Sequence, residues 1–226
     1  ASDIGFAILA DLTRAAHDAR PGSLVIGEIW SYPDEWSPAM DAVMNFHARQ
    51  IILHLVQGVL SGPRAGHLID RMIADTGLGP ILKSWLIVDN HDTPRLKTML
   101  PKPWQQRMAQ VLQFTLPGSP CVYYGVEVGM TGGHDPQMRG PMRWDLVNDR
   151  NQDLAWLKTL IALRRGSRAL RIGDFRRLDS EHLLAFTRRT DHVAETAVVV
   201  ANATDKSVTE VLAVPESKFI NNDRLC

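Results

Sequence analysis

The side chains able to break bonds gather in two short stretches, Gly27-Glu28-Ile29-Trp30 and Asp89-Asn90-His91-Asp92-Thr93-Pro94-Arg95. Each follows an apolar run, Leu24-Val25-Ile26 in the first case and Leu86-Ile87-Val88 in the second. Such runs read as buried strands, and polar side chains at a buried strand end are costly without partners or a task. Pro94 stops regular pairing, so the second group sits where strand becomes loop. Glu28, in apolar company beside Trp30, has the surroundings that keep a carboxylic acid protonated near neutral pH. Glu28 and Asp92 can therefore divide acid and charge-stabilising roles. A lone Asn-His-Asp reads equally well as a capped turn; the second strand of the same shape argues for a site.

The elements that must position these groups alternate along the chain. Ile4, Ile8, Leu12, Ala15 and Ala19 recur at helical spacing, Ser2 or Asp3 can cap the start, and Pro21-Gly22 closes the end. Met40 to Asn45 reads as a second strand, and Ile51, Ile52, Leu55, Val56 and Val59 as the apolar face of a helix. Further helices are expected over Leu68 to Ala74, Gln105 to Thr115 and Asn151 to Arg165, with a strand at Pro120 to Gly125. Beyond Arg168 the pattern becomes short alternating strands at Leu183 to Arg188, Ala197 to Ala201 and Val208 to Val214. Near-continuous apolar strands separated by helices predict a parallel sheet in an α/β fold, with functional residues at strand C-terminal ends as in a β/α barrel. Four such strands are half of the eight that close a barrel.

The chain has 226 residues, 45% hydrophobic and 22% charged, enough for one large or two modest cores. Lys plus Arg (25) equals Asp plus Glu (25), which disfavours nucleic acid as a partner. No apolar run approaches the roughly 20 residues that span a bilayer, so no membrane partner is expected. The first residues lack a signal-peptide pattern; the compartment stays open, with the cytoplasm favoured. Cys121 and Cys226 imply no disulfide framework.

GEIW followed by VDNHDTPR resembles two sequence blocks of the alpha-amylase superfamily of glycoside hydrolases. QFTLPGSPCVYYG and GMTGGHDPQMRGPMRWD resemble the last barrel strand and its loop, especially in cyclomaltodextrinases, neopullulanases and maltogenic amylases. The resemblance implies a retaining alpha-glucan hydrolase with Glu28 as acid/base, Asp92 as transition-state stabiliser and His91 as a sugar ligand. It offers Arg95 as a further substrate contact and an alpha-glucan oligosaccharide as partner; Trp30 is a further candidate substrate contact as an aromatic ring at a strand end, and no cofactor or metal is expected. An oligomer stays open. Two departures stand out, Val126 where many relatives have Asp and Gly140 where a second Arg is common.

Neither the family's R-x-D nucleophile block nor its Asp-x-x-x-Asn-His block is present, and Asp3 reads as a helix cap. The expectation is therefore the C-terminal half of a (β/α)8 TIM barrel over residues 1–169, then an incomplete antiparallel β-sandwich domain over 170–226. Such a piece is expected to be inactive alone and to associate through open sheet edges. A transglycosylase, a sucrose- or trehalose-converting relative, and a non-catalytic carbohydrate-binding or structural remnant are the competing readings. The remaining signals read mainly as structure: His47, His54 and His67 lack metal-ligand spacing, and Asp135-Pro136 reads as a turn. Asn202-Ala203-Thr204 fits a glycosylation acceptor, and Trp30, Trp36 and Trp144 could stack on sugars or simply pack.

Overall fold

The computed structural model of the protein describes residues 3–192 and 195–215. Four strands, β1 (Ile26–Ile29), β2 (Ala42–Asn45), β3 (Trp85–Leu86) and β4 (Ser119–Pro120), form one parallel sheet in the order β1-β2-β3-β4. Each parallel crossover carries helix or compact loop, as the sequence pattern requires. Between β2 and β3 run α2 (Phe46–Val56), α3 (Gly62–Thr76) and α4 (Leu78–Lys83); between β3 and β4 run α5 (Leu96–Met99) and α6 (Pro103–Thr115). The first helix, α1 (Asp3–Ala19), precedes β1, and α7 (Gln152–Gly166) and α8 (Arg168–Ile172) follow the sheet.

Local chemistry sets several boundaries. Asn45 ends β2 and caps α2, its side chain accepting from the Ala48 N–H at 2.9 Å. Ser61 caps α3 and Pro63 sits in its first turn, so this helix begins well before the expected Leu68. The strand expected over 120–125 ends almost at once: Pro120 has no N–H to give, the Cys121 N–H makes a last bond to Leu86 O at 3.0 Å, and the chain then turns.

Two expectations need correction. The buried side of α1 is Phe6, Leu9 and Ala10, packed against Ala39, Met40 and Val43, while Ile4, Ile8 and Leu12 are exposed. No strand forms at Val208 to Val214 among the described residues, and Val211 stands fully in solvent. The antiparallel sheet is instead β5 (Arg176–Arg177), β6 (Leu184–Arg188) and β7 (Ala197–Ala201). Expectations for residues 216–226, Cys226 included, lie outside the described residues.

One hydrophobic cluster joins the two sheets. Ile52, Leu55 and Val56 of α2, Ile69 of α3, Leu86, Leu112 of α6, and Leu184 and Phe186 of β6 all belong to it. Burial of such side chains is worth about 1.5–3 kcal/mol each, which makes this the main stabilising unit. Two buried arginines fasten the end of α6 to α7 and to the antiparallel sheet. Arg164 of α7 donates to Phe114 O at 2.7 Å, and Arg188 of β6 donates to Thr115 O at 2.7 Å and to Asp174 O at 2.7 Å. Both satisfy carbonyls that the C-terminus of α6 leaves without helical partners.

Candidate active site

The strand order brings the two polar stretches together. Glu28 lies on β1, and β3 runs on through buried Ile87 and Val88 into the Asp89–Arg95 loop. This loop is built by its own side chains: Asn90 Oδ1 accepts from the Asp92 N–H at 3.1 Å, and Thr93 Oγ1 accepts from the Asn90 N–H at 3.0 Å. These turns point His91 and Asp92 outward from a buried base. The side-chain ligand atoms of Glu28, His91 and Asp92 all lie within 4.8 Å of one another. His91 Nε2 is 3.3 Å from Asp92 Oδ2, and the two side chains are 43% and 34% exposed.

Arg139, in the loop after β4, completes the cluster by pairing with Asp92 Oδ1 at 2.6 Å and with Asp135 at 3.1 Å. Glu28, His91 and Asp92 are the set among the described residues whose spacing could hold a cation. The Arg139 charge on Asp92 opposes a cation there. Arg139 was absent from the sequence-based candidates. Nothing in its local spacing marks it, because its partner Asp92 lies 47 positions away in the chain.

Trp30 is 61% exposed and stacks face to face on Phe46, the ring centroids 3.9 Å apart. Beside it lies a shallow cavity of about 290 Å³ lined by Arg49, Gln50, His54 and Met99. An exposed aromatic face flanked by amide and imidazole groups suits a sugar ring. Glu28 is exposed, so the apolar enclosure expected around it is not made by the described residues. Trp36 donates to Ser31 and packs on Ala39, Met40 and Val43, which makes it a packing residue. His47 meets Tyr32 edge to face, and burial holds its pKa below the ordinary histidine value.

Arg95 requires a correction. It is wholly buried, its Nη1 donating to Tyr124 O at 2.5 Å and its guanidinium carbon lying 4.8 Å from the centroids of both the Tyr123 and Tyr124 rings. A side chain covered in this way does not touch substrate. Asp89 is buried next to it; Oδ2 accepts from the Leu96 N–H at 2.7 Å and Oδ1 makes no hydrogen bond. Burial pushes the Asp89 carboxyl up to about 6, against the pull of the Leu96 amide and of Arg95 and Arg49. Val126, where many relatives carry Asp, is buried in the main cluster, so this departure changes packing beneath the loop.

The parallel sheet thus brings two carboxylates and an imidazole together at its strand ends. The family model "Alpha amylase, catalytic domain" matches residues 7–173, and the chain belongs to the alpha-amylase family. A cyclomaltodextrinase from Bacillus sp. is 30% identical over 209 residues, which cover 89% of this chain and 37% of that protein. Neopullulanase 2 from Thermoactinomyces vulgaris is 30% identical over 226 residues, covering 96% of this chain and 38% of the relative. Among solved structures, the maltogenic amylase from S. marinus superposes with a TM-score of 0.83 at 29% identity, over 90% of this chain and 30% of that one. The ligand-free cyclic alpha-maltosyl-(1→6)-maltose hydrolase from Arthrobacter globiformis gives 0.81 at 26% identity, over 87% and 46%. The chain spans a little over a third of the length of the curated relatives it matches.

Proposed function

We propose that this chain carries the acid/base and substrate-holding part of a retaining alpha-glucan hydrolase. The observation behind the reading is the convergence of Glu28, His91 and Asp92 within 4.8 Å at the ends of parallel strands. In this reading Glu28 gives its proton to the glycosidic oxygen as the bond to the anomeric carbon breaks. A carboxylate from outside these 226 residues forms the glycosyl intermediate, and Glu28 then takes a proton from the water that resolves it. Asp92 and His91 hold ring hydroxyls, and those contacts strengthen as the ring flattens toward the oxocarbenium ion. Arg139 holds the Asp92 carboxylate in place, and Trp30 carries a neighbouring sugar.

Residues 1–169 are proposed to be the C-terminal half of a (β/α)8 barrel and residues 170–226 part of an end domain. The four-stranded parallel order and the family match over residues 7–173 support this. The test is proton NMR of maltotriose hydrolysis by the whole protein that contains this chain. The expected product is the alpha anomer. Inversion, or maltotriose binding with no turnover, would overturn the reading, and longer oligosaccharides would mark transfer to sugar instead of water.

A further inference from the structure

We propose that Arg95 is a positioning residue: through Tyr123 and Tyr124 it sets where the Arg139 guanidinium meets Asp92. This inference rests on the functional reading above for its kinetic consequence and on geometry alone for its structural one.

The contacts form a closed ring. Arg95 lies 4.8 Å from both tyrosine ring centroids, and the two rings meet edge to face at 4.6 Å. The Tyr124 hydroxyl donates to Gly140 O at 2.7 Å, and the Tyr123 hydroxyl reaches Met138 O at 3.4 Å. Met138 and Gly140 are the two residues that flank Arg139. The tyrosines thus hold the backbone on both sides of the arginine that pairs with Asp92 at 2.6 Å. From Asp92 the chain returns through Thr93 and Pro94 to Arg95, whose N–H donates to Gly132 O at 2.9 Å and fastens the start of the same glycine-rich loop.

Other features of the ring point the same way. Gly125 follows the tyrosines at φ +86°, and a Cβ there would meet Met130 Sδ first and Arg95 Nη1 next, at 2.9 Å, so the Tyr-Tyr-Gly turn leaves room for both side chains. Arg95 is fully buried yet, among the described residues, hydrogen-bonds to no carboxylate, and its Nε and Nη2 find no hydrogen-bond partner there. A buried cation left so incompletely satisfied is a poor stabiliser in its own right. What it does is organise: two aromatic faces and one carbonyl are fixed by a single rigid, planar group.

The experiment uses Tyr124→Phe, Arg95→Met and Arg139→Met. In the whole protein, hydrogen exchange of the amides at 137–140 should speed up about tenfold in Tyr124→Phe and Arg95→Met, with α2 and α6 unchanged in Tyr124→Phe. In the whole protein, Tyr124→Phe should lower kcat on maltotriose about tenfold with KM within about twofold, since a displacement of about 1 Å in a positioned group can cost 10²-fold. Added to Arg139→Met it should cost nothing more, because both changes act through one contact. Unchanged exchange at 137–140, or multiplicative losses in the double variant, would overturn the proposal. An inactive parent protein would defeat the functional reading alone, with the exchange measurement still deciding the structural claim.

Discussion

Replacing Asp89 by Asn tests the buried base of the site through stability. The amide keeps an oxygen for the Leu96 N–H, which Asp89 Oδ2 meets at 2.7 Å, and it removes a charge that burial disfavours. The folded-state pKa of Asp89 is raised from 3.8 to about 6. A raised carboxyl contributes stability that is complete below the unfolded pKa and is lost as pH rises through the folded one. A shift of about two units corresponds to roughly 3 kcal/mol, already net of the attraction from Arg95 and Arg49. Urea unfolding followed by tryptophan fluorescence, at steps from about pH 4 to about pH 8, gives the two stability curves. The advantage of Asp89→Asn over the parent should grow by about 3 kcal/mol across this window and level off above about pH 6.5. A difference that stays constant within about 0.5 kcal/mol would refute the dominance of burial over these partners on which the calculation stands.

Arg188→Met should cost about 3 kcal/mol, because Thr115, Gly173 and Asp174 carbonyls lose a buried donor; thermal unfolding with hydrogen exchange in β6 reads the loss. The 226-residue chain alone should give no maltotriose hydrolysis. It should also elute as associated species, since β1 and β4 are the edges of the parallel sheet and Ile4, Ile8 and Leu12 face solvent. Size-exclusion chromatography with an activity assay on the same fractions checks both.

The parts of the fold that were legible in the sequence are those governed by local pattern. Leu86-Ile87-Val88 running into Asp89 marks a strand end whatever surrounds it, and the Leu24 to Trp30 run behaves in the same way. What tertiary contact decides was harder to read. Helix α1 carries two apolar stripes, and nothing local says that Phe6, Leu9 and Ala10 meet the core instead of Ile4, Ile8 and Leu12. Arg95 sits three residues from Asp92 in sequence, but its burial under Tyr123 and Tyr124 depends on a turn about thirty residues away. Arg139 reaches Asp92 across 47 positions, a contact that no spacing rule announces. Val208 to Val214 alternates like a strand, but alternation without a pairing partner leaves only extended chain.

The acid role of Glu28 is the centre of the account, and leaving-group dependence tests it most directly. In the whole protein, Glu28→Gln should lower kcat on maltotriose by about 10²- to 10⁴-fold, because the amide cannot donate a proton. On an activated aryl alpha-maltoside, whose leaving group departs without protonation, the glycosylation step should stay within a few fold of the parent. Equal losses on both substrates, or turnover of maltotriose within a few fold of the parent, would contradict the assignment.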